Sequence, residues 1–283
     1  MDVAKVLARD FGKIEQAYTF KDTILYALGV GLGAKPLDPG HLRFLYEDGL
    51  MAMPSMANVL GHPGFWAMQP EYGINWKLVL HAEQRLHLHG AIPSEGKVIA
   101  EIDIMGVRDL GERGTMLHQR KVLRDSADNS RIATTITSLL LRGDNGSGDH
   151  GEAPPELEKL GSGTLDCSVT IEVAEILPLI YRLSGDLNPL HIDPQVATAA
   201  GFSRPILHGL ATKGIATYAI LLQYCDLDPS RLKEIALRFT RPVLPSETLR
   251  FDFWRAAPGT VRFAATVLER NEIVLDRGIA QIS

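Results

Sequence analysis

The chain has 283 residues, a formal net charge of −5 and a composition of 45% hydrophobic and 22% charged residues. This is the composition of a globular protein, so it excludes a mainly disordered chain, and the acidic balance provides no basic surface for nucleic acid. The two cysteines, Cys167 and Cys225, are too few for a disulfide framework, which favours a reducing compartment.

The first part of the chain is predicted to form one helix and then an antiparallel sheet. Residues 23–30 have helical spacing, whereas three later segments alternate apolar and polar residues, as half-buried strands do. The predicted strands are residues 97–107, 115–123 and 132–141. Because no helix separates these strands, we expect them to pair in the antiparallel direction.

A dense run of glycine and proline at residues 142–163 predicts an exposed connection in the middle of the chain. We therefore divide the chain into an N-terminal half at residues 1–150, a linker at 151–163 and a C-terminal half at 164–283. Two short segments recur, in the same order and at nearly the same spacing, on the two sides of the linker. They are Pro93–Glu95 with Pro245–Glu247, and Tyr26–Gly29 with Tyr181–Ser184. This recurrence favours a duplicated unit.

The C-terminal half is predicted to combine strands with one long buried helix. Residues 207–224 are predicted as this helix, and they are so apolar that it must be buried nearly all round. The other predicted segments are a strand at 164–173, a helix at 174–183, and strands at 234–240, 248–255, 261–269 and 273–282. An antiparallel sheet that curves around a buried helix, an α+β arrangement, satisfies this pattern.

The loop at residues 185–191 has the strongest chemical signal. Its glycine and proline disfavour a regular helix, so Asp186, Asn188 and His191 are expected close together on a constrained loop. An imidazole can accept or donate a proton near neutral pH, and an amide can orient a water molecule. These residue types predict a site for proton transfer. From the spacing alone, the alternative is that Asp186 caps a helix and His191 packs in the core.

Gly209 lies near the start of the long predicted helix. The first N–H groups of a helix have no partner within it and carry partial positive charge, so they can stabilise an oxyanion on a thioester carbonyl. The alternative is that Gly209 only allows tight packing. We expect His208 to pack or to support the site. A metal site made of His191, Asp193 and His208 fits no common ligand spacing, so we expect none.

The segment Gly185-Asp186-x-Asn188-Pro189-Leu190-His191 resembles the hydratase 2 motif of the MaoC-like, R-specific 2-enoyl-CoA hydratases. Other segments resemble the two-hot-dog members of this family, which include the hydratase unit of peroxisomal multifunctional enzymes. These segments are residues 25–31, 44–47, 79–84 and 238–243. The resemblance implies an α+β double hot-dog fold, with two antiparallel sheets that each wrap around a central helix and pack side by side. It also implies that only the C-terminal half keeps the catalytic motif, while the N-terminal half accommodates the acyl chain.

The resemblance implies the reversible hydration of a trans-2-enoyl-CoA to an (R)-3-hydroxyacyl-CoA. Asp186 and His191 would hold the water molecule, with His191 as base towards water and Asp186 as acid towards C2, or with the two roles shared. Asn188 would orient the water or support this pair, and the N–H of Gly209 would stabilise the thioester oxygen. No metal or redox cofactor is implied, and CoA is part of the substrate.

The same resemblance implies substrate contacts outside the catalytic residues. His81, Ala82 and Phe239 would contact the CoA thioester arm. The further predicted substrate contacts are Leu187, Pro189, Leu190 and Arg241. The sequence departs from the family at Ala82, where the common residue is glycine, and the added methyl group would narrow the tunnel. Glu47 matches an acidic position of the family, for which catalysis and a buried ion pair are both open.

The expected partner is an acyl-CoA, with no nucleic acid and no membrane insertion, and the expected assembly is a homodimer. A fatty acyl group, a steroid side chain or a polyhydroxyalkanoate precursor would all fit. The start of the chain does not resemble a signal peptide and its end is not a peroxisomal Ser-Lys-Leu type, so we expect a cytoplasmic protein. The alternatives are an acyl-CoA thioesterase of the same fold and an acyl-CoA-binding subunit without catalysis.

Overall fold

The structure, a computed structural model, describes residues 1–161 and 163–283. Its N-terminal half is built mainly of strands. Its helices and strands are α1 (Val3–Leu7), β1 (Lys13–Tyr18), α2 (Phe20–Gly29), α3 (Pro39–Leu42), β2 (Val79–Leu88), β3 (Gly96–Asp109), β4 (Thr115–Asp125), β5 (Arg131–Leu141) and β6 (His150–Gly151). Val98 and Ala100 are buried while the residue between them is partly exposed, as in a strand with one face on a core. The predicted helix and the three predicted strands are confirmed as α2 and β3 to β5.

The C-terminal half combines strands with one long helix. Its helices and strands are β7 (Cys167–Glu172), α4 (Leu177–Tyr181), α5 (Pro194–Ala199), α6 (Gly209–Tyr224), β8 (Leu232–Phe239), β9 (Thr248–Ala257), β10 (Thr260–Val267) and β11 (Glu272–Ile282). The predicted strands and the long helix are confirmed. The predicted helix at 174–183 is shorter than expected, because α4 gives way to a 3₁₀ turn at Arg182–Ser184. Gly185, which follows this turn, has a φ of +120° and ends the helical path.

The strands of the described residues form one antiparallel sheet. Its order is β1-β3-β4-β5-β2-β8-β11-β10-β9-β7, with β6 paired to β3. This order reads the same from both edges when each of β1 to β5 is matched with the strand numbered six higher. Hydrogen bonds between β2 and β8 join the two halves, so the two expected sheets are continuous with each other. Pairing satisfies the backbone groups that both strands would otherwise leave exposed at an edge.

The centres of the two halves differ. In the C-terminal half the centre is α6, which is buried almost throughout. No helix in the described ranges, α6 included, is long and apolar enough to cross a membrane. In the N-terminal half the buried segment 52–60 packs against α6, β2 and β5 with a 3₁₀ turn at Pro54–Asn58. The expected central helix of this half is therefore wrong. Pro54 and Gly61, with a φ of +60°, leave space for about two helical turns at most.

The two halves also meet where α2 packs against α4. The buried rings of Tyr26 and Tyr181 lie 5.8 Å apart, measured between their centroids. A Cβ atom at Gly29 would lie 3.0 Å from the Cα atom of Tyr181, so glycine permits this close approach. The recurring segments that contain these tyrosines thus contact each other.

Part of the predicted linker lies on the sheet. The linker, residues 151–163, includes residue 162, which is outside the described residues. Arg277 donates one hydrogen bond to Glu156 Oε1 and one to the carbonyl oxygen of Leu157, each at 2.8 Å. Leu157 is buried, so this stretch is anchored to the protein surface at a defined point.

Candidate active site

Residues 185–191 form a loop that is held by its own hydrogen bonds. The backbone N–H of Asn188 donates to Asp186 Oδ1 at 3.2 Å, and the N–H of Leu190 donates to Asn188 Oδ1 at 3.1 Å. Short polar side chains fix turns in this way without regular secondary structure. The Asn188 side chain is exposed and its amide oxygen accepts a hydrogen bond within the loop. This favours a role in supporting Asp186 and His191 over a role in orienting the water molecule.

His191 is buried beside this loop, and the hydrogen bond of its ring determines which nitrogen is free. Its Nδ1–H donates to the carbonyl oxygen of Ile206 at 2.8 Å, because a carbonyl can only accept. The other nitrogen, Nε2, therefore carries the lone pair. Burial lowers the pKa of His191, while the bond to Ile206 and the charge of Asp186 act in the opposite direction. The lowered pKa keeps the ring neutral at neutral pH, in the form that accepts a proton.

His208 contacts both members of this pair. The rings of His208 and His191 stack with centroids 3.7 Å apart and planes tilted by 29°. The Nε2–H of His208 donates to the backbone carbonyl oxygen of Asp186 at 3.2 Å. Burial, with a smaller effect of the neighbouring His191, lowers the pKa of His208 to about 4. His208 thus has the packing and supporting contacts that the sequence predicts for it.

Asp186, His191 and His208 each offer one ligand atom within 4.8 Å of the other two. The ring geometry disfavours a shared metal ion, however. An ion bound by two histidines lies near the plane of each ring, and two rings stacked at 3.7 Å cannot both direct a lone pair at it. Asp193 is directed elsewhere, because its carboxylate accepts from the backbone N–H of Gln195 at the start of α5.

Gly209, Phe239 and His81 meet at the start of α6. A Cβ atom at Gly209 would lie 3.6 Å from the ring of Phe239, so this ring covers the first turn of the helix. The ring of His81 contacts Phe239 edge-on, with centroids 4.8 Å apart. Desolvation lowers the pKa of His81 to about 4, and the charge of Asp186 acts in the opposite direction. The structure therefore brings three of the predicted residues together beside the loop of Asp186.

The other predicted contacts are less enclosed. Ala82 is partly buried at a break in the pairing of β2 with β5, between His81 and Glu83. Leu190 is half-buried. The remaining predicted contacts are exposed, and these are Leu187, Pro189 and Arg241. The buried ion pair considered for Glu47 is wrong, because Glu47 is exposed on the surface.

A buried polar network behind His81 was not predicted. Side-chain hydrogen bonds connect His81 to Gln84, Gln84 to Asn58, and Asn58 to Lys213. One signal was available in the sequence, since Lys213 is the only charged residue within the apolar helix α6. A charge at such a position indicates buried polar partners, although the sequence does not identify them.

Comparisons of sequence assign both halves to known families. Residues 16–143 match the MFE-2 hydratase 2 N-terminal domain, and residues 161–276 match the MaoC like domain. The chain is also similar to a Dictyostelium discoideum protein named "Probable enoyl-CoA hydratase 2". The two are 37% identical, over 100% of this chain and 97% of that protein.

Comparisons of structure agree. The crystal structure of a MaoC-like dehydratase from Phytophthora capsici is 30% identical, has a TM-score of 0.88, and covers 100% of this chain and 99% of that one. A conserved hypothetical protein of Mycobacterium tuberculosis, described as a double hotdog fold, is 16% identical with a TM-score of 0.59, over 94% of this chain and 93% of that one. The predicted α+β double hot-dog class is therefore confirmed. The chain belongs to the family of MaoC-like dehydratases that carry a hydratase 2 N-terminal domain.

Proposed function

We propose that the protein catalyses the reversible hydration of a trans-2-enoyl-CoA to an (R)-3-hydroxyacyl-CoA. The observation that carries the proposal is that Asp186 and His191 offer ligand atoms within 4.8 Å of each other and of His208, next to the start of α6, with His191 Nδ1 engaged by the Ile206 carbonyl. The names of the Dictyostelium and Phytophthora relatives support the same reaction class.

In this proposal His191 and Asp186 transfer the proton of the reaction from water to C2. His191 Nε2 takes a proton from water as the water oxygen bonds to C3, and this proton passes through the Asp186 carboxylate to C2, so that Asp186 is the acid towards C2. The proton lost by water is thus the proton gained by C2, and the pair returns to its starting state. The reverse reaction uses the same groups with their roles exchanged.

The backbone N–H of Gly209 supplies the third element of the proposal. Negative charge develops on the thioester oxygen as C3 becomes bonded to water. The N–H groups of the first turn of α6 are not used within the helix, and Phe239 covers this turn. One such donor is worth roughly 3 kcal/mol of transition-state stabilisation.

We also propose that the substrate is bound without a metal or redox cofactor. The stacked rings of His191 and His208 support this part, because they cannot converge on one ion. The proposed contacts with the acyl-CoA are those of the sequence: His81, Ala82, Leu187, Pro189, Leu190, Phe239 and Arg241.

The direct test is an assay of the purified protein with crotonyl-CoA and with longer enoyl-CoA substrates. Hydration is followed as the loss of absorbance of the conjugated thioester. Failure to hydrate short, medium and long substrates would overturn the proposal. Release of free CoA from a saturated acyl-CoA would instead identify a thioesterase, and binding without turnover would identify a binding subunit.

The roles of the pair are tested by Asp186→Asn and His191→Ala. Each variant should keep the fold and reduce kcat by roughly 100-fold or more, which is the usual contribution of one acid–base group. The matched control is Asp193→Asn, because Asp193 caps α5 and asparagine caps a helix equally well. Wild-type rates in both Asp186→Asn and His191→Ala would refute these assignments.

We propose further that the protein forms a homodimer. Ile176, Leu179 and Leu183 lie at helical spacing along α4 and its flanks, and each is more than half exposed. A second copy is the simplest cover for such apolar side chains. Light scattering should therefore give twice the chain mass of 31.0 kDa, and a mass equal to one chain would contradict this proposal.

A further inference from the structure

Behind His81 lies a group of buried polar side chains that proton transfer does not use. This group, the lysine cluster, consists of Asn58, Gln84, Lys121 and Lys213, and each member is at least 95% buried. Within the described part of the chain, neither lysine forms a salt bridge. Burial of two amino groups without a carboxylate is costly, and desolvation lowers the pKa of both, to about 7 for Lys121.

The hydrogen bonds of the cluster have a fixed direction. Lys213 Nζ donates to Asn58 Oδ1 at 3.1 Å, and Gln84 Nε2 donates to the same oxygen at 3.2 Å. Gln84 Nε2 also donates to the backbone carbonyl oxygen of Arg85, which can only accept. These contacts identify which end of the Gln84 amide is nitrogen, so its oxygen must face the other way.

The oxygen of Gln84 faces His81. Gln84 Oε1 lies 2.9 Å from His81 Nε2, and it also accepts the hydroxyl of Thr137 at 2.8 Å. An amide oxygen can only accept, so His81 must carry its proton on Nε2. His81 Nδ1 then carries the lone pair of a neutral ring.

The titratable groups around His81 come from α6, β4 and the loop at residues 185–191. Lys213 lies on α6, one helical turn after Gly209, and burial lowers its pKa well below the ordinary lysine value. Lys121 lies on β4 and donates to the backbone oxygens of Asn58 and Leu60 on the far side of the cluster. Asp186, on the loop, is the opposing negative charge.

We propose that Gln84 is a positioning residue that holds His81 in its neutral, Nε2-protonated form, and that Asn58 and the Arg85 carbonyl hold Gln84 in turn. The hydrogen bonds from Lys213 through Asn58 and Gln84 to His81 connect α6 to the N-terminal half. His81 in turn contacts Phe239, whose ring lies against Gly209. The position of His81 beside the start of α6 is thus fixed from behind.

Nitrogen-15 NMR of histidine-labelled protein tests the proposal without any substrate. In the wild type, His81 should be protonated on Nε2 only and should remain neutral from pH 7 down to pH 5. A cationic His81 at pH 7, or a proton on Nδ1, would overturn the proposal. The wild-type spectrum alone decides this point, so it does not depend on whether any variant folds.

Gln84→Leu tests the role of Gln84, with Lys213→Met as its control. Gln84→Leu removes the acceptor, so His81 should become a mixture of the two neutral tautomers. Lys213→Met leaves Gln84 anchored by the Arg85 carbonyl, so the tautomer of His81 should not change. An unchanged His81 tautomer in Gln84→Leu, or a mixture of tautomers in Lys213→Met, contradicts the proposal.

A kinetic arm rests on the proposed hydratase activity. Because His81 would contact the thioester arm rather than C2 or C3, Gln84→Leu should raise KM more than it lowers kcat. If the protein is no hydratase, this arm fails for wild type and variant together, while the NMR results still decide the proposal.

Discussion

At the scale of single residues, the site depends on hydrogen bonds that use one nitrogen of each histidine. His191 uses Nδ1 for the carbonyl of Ile206, and His208 uses Nε2 for the carbonyl of Asp186. Both bonds go to backbone oxygens, which cannot change from acceptor to donor. The free nitrogen of His191 is therefore determined by the backbone path and not by a neighbouring side chain.

The contribution of His208 is tested by His208→Phe. Phenylalanine keeps a ring against His191 but removes the hydrogen bond to the Asp186 carbonyl, so the loop should lose its position relative to α6. We expect kcat for enoyl-CoA hydration to fall by about 10- to 100-fold, since small displacements of reacting groups have effects of this size. Unchanged kcat in this variant, with the same unfolding temperature, would show that the bond to Asp186 does not position the loop. His87→Gln, at an exposed position, is the control and should match the wild type.

The sequence predicts local contacts of the site better than distant ones. Asp186 and His191 could be placed together because they are five positions apart on a loop restrained by Gly185 and Pro189. The bond between Asn58 and Lys213 joins residues 155 positions apart, on different elements. No local pattern specifies such a pair, so the lysine cluster was found only from the structure.

At the scale of secondary-structure elements, the junction of β2 and β8 connects the two halves. Glu83 on β2 lies opposite Arg238 on β8, and Arg238 Nε donates to Glu83 Oε1 at 2.9 Å. The Glu83 side chain is only 8% exposed, whereas that of Arg238 is 30% exposed. This ion pair thus lies within the one ladder that makes the two halves a single sheet.

Glu83→Ala should weaken this junction. Removal of one partner of a buried pair leaves the other charge without compensation, and we expect the free energy of unfolding to fall by about 3 kcal/mol. The matched control is Glu101→Ala, because Glu101 pairs with Lys13 and Arg124 on an exposed face and should cost about 1 kcal/mol or less. Chemical denaturation measures both values. Equal losses in the two variants would show that the junction has no special contribution.

Sequence patterns predicted a strand where one of its faces is buried and the other is not. Strands β3 and β9 alternate clearly between buried and partly exposed residues, because one face of each is buried. β1 was not predicted, because three of its six residues are polar or charged and it lies at an edge of the sheet. The 3₁₀ turn in the buried segment 52–60 was not predicted from the sequence, since the uniform burial of this segment has neither the helical nor the strand period.

At the scale of the whole molecule, the fold encloses histidines in their neutral form. Desolvation lowers the pKa of His81, His118 and His208 to about 4, from an ordinary value of 6.5. These residues belong to both halves, so the consequence applies to the cooperative unfolding of the entire chain. The unfolded chain binds protons on these side chains below pH 6.5, whereas the folded chain binds them only near pH 4.

Stability should therefore decrease on acidification below pH 6.5. Because the unfolded state binds more protons in this range, the free energy of unfolding falls as the pH falls, and the loss is complete only below the folded pKa values. Between pH 7 and pH 5, each such histidine should cost about 2 kcal/mol. Denaturation curves at pH 7, 6 and 5 measure this loss, and a free energy of unfolding that is independent of pH would contradict it.

The substitution His118→Gln isolates one of these contributions. His118 is buried and its Nδ1 lies 2.9 Å from Ser138 Oγ, a contact that a glutamine amide can replace without a titrating group. The variant should lose about 2 kcal/mol less than the wild type between pH 7 and pH 5. His87→Gln should keep the full wild-type loss, because the His87 side chain is exposed and is not one of the buried histidines. If His118→Gln and His87→Gln show the same dependence on pH, then the burial of neutral histidines does not determine the stability of this fold in acid.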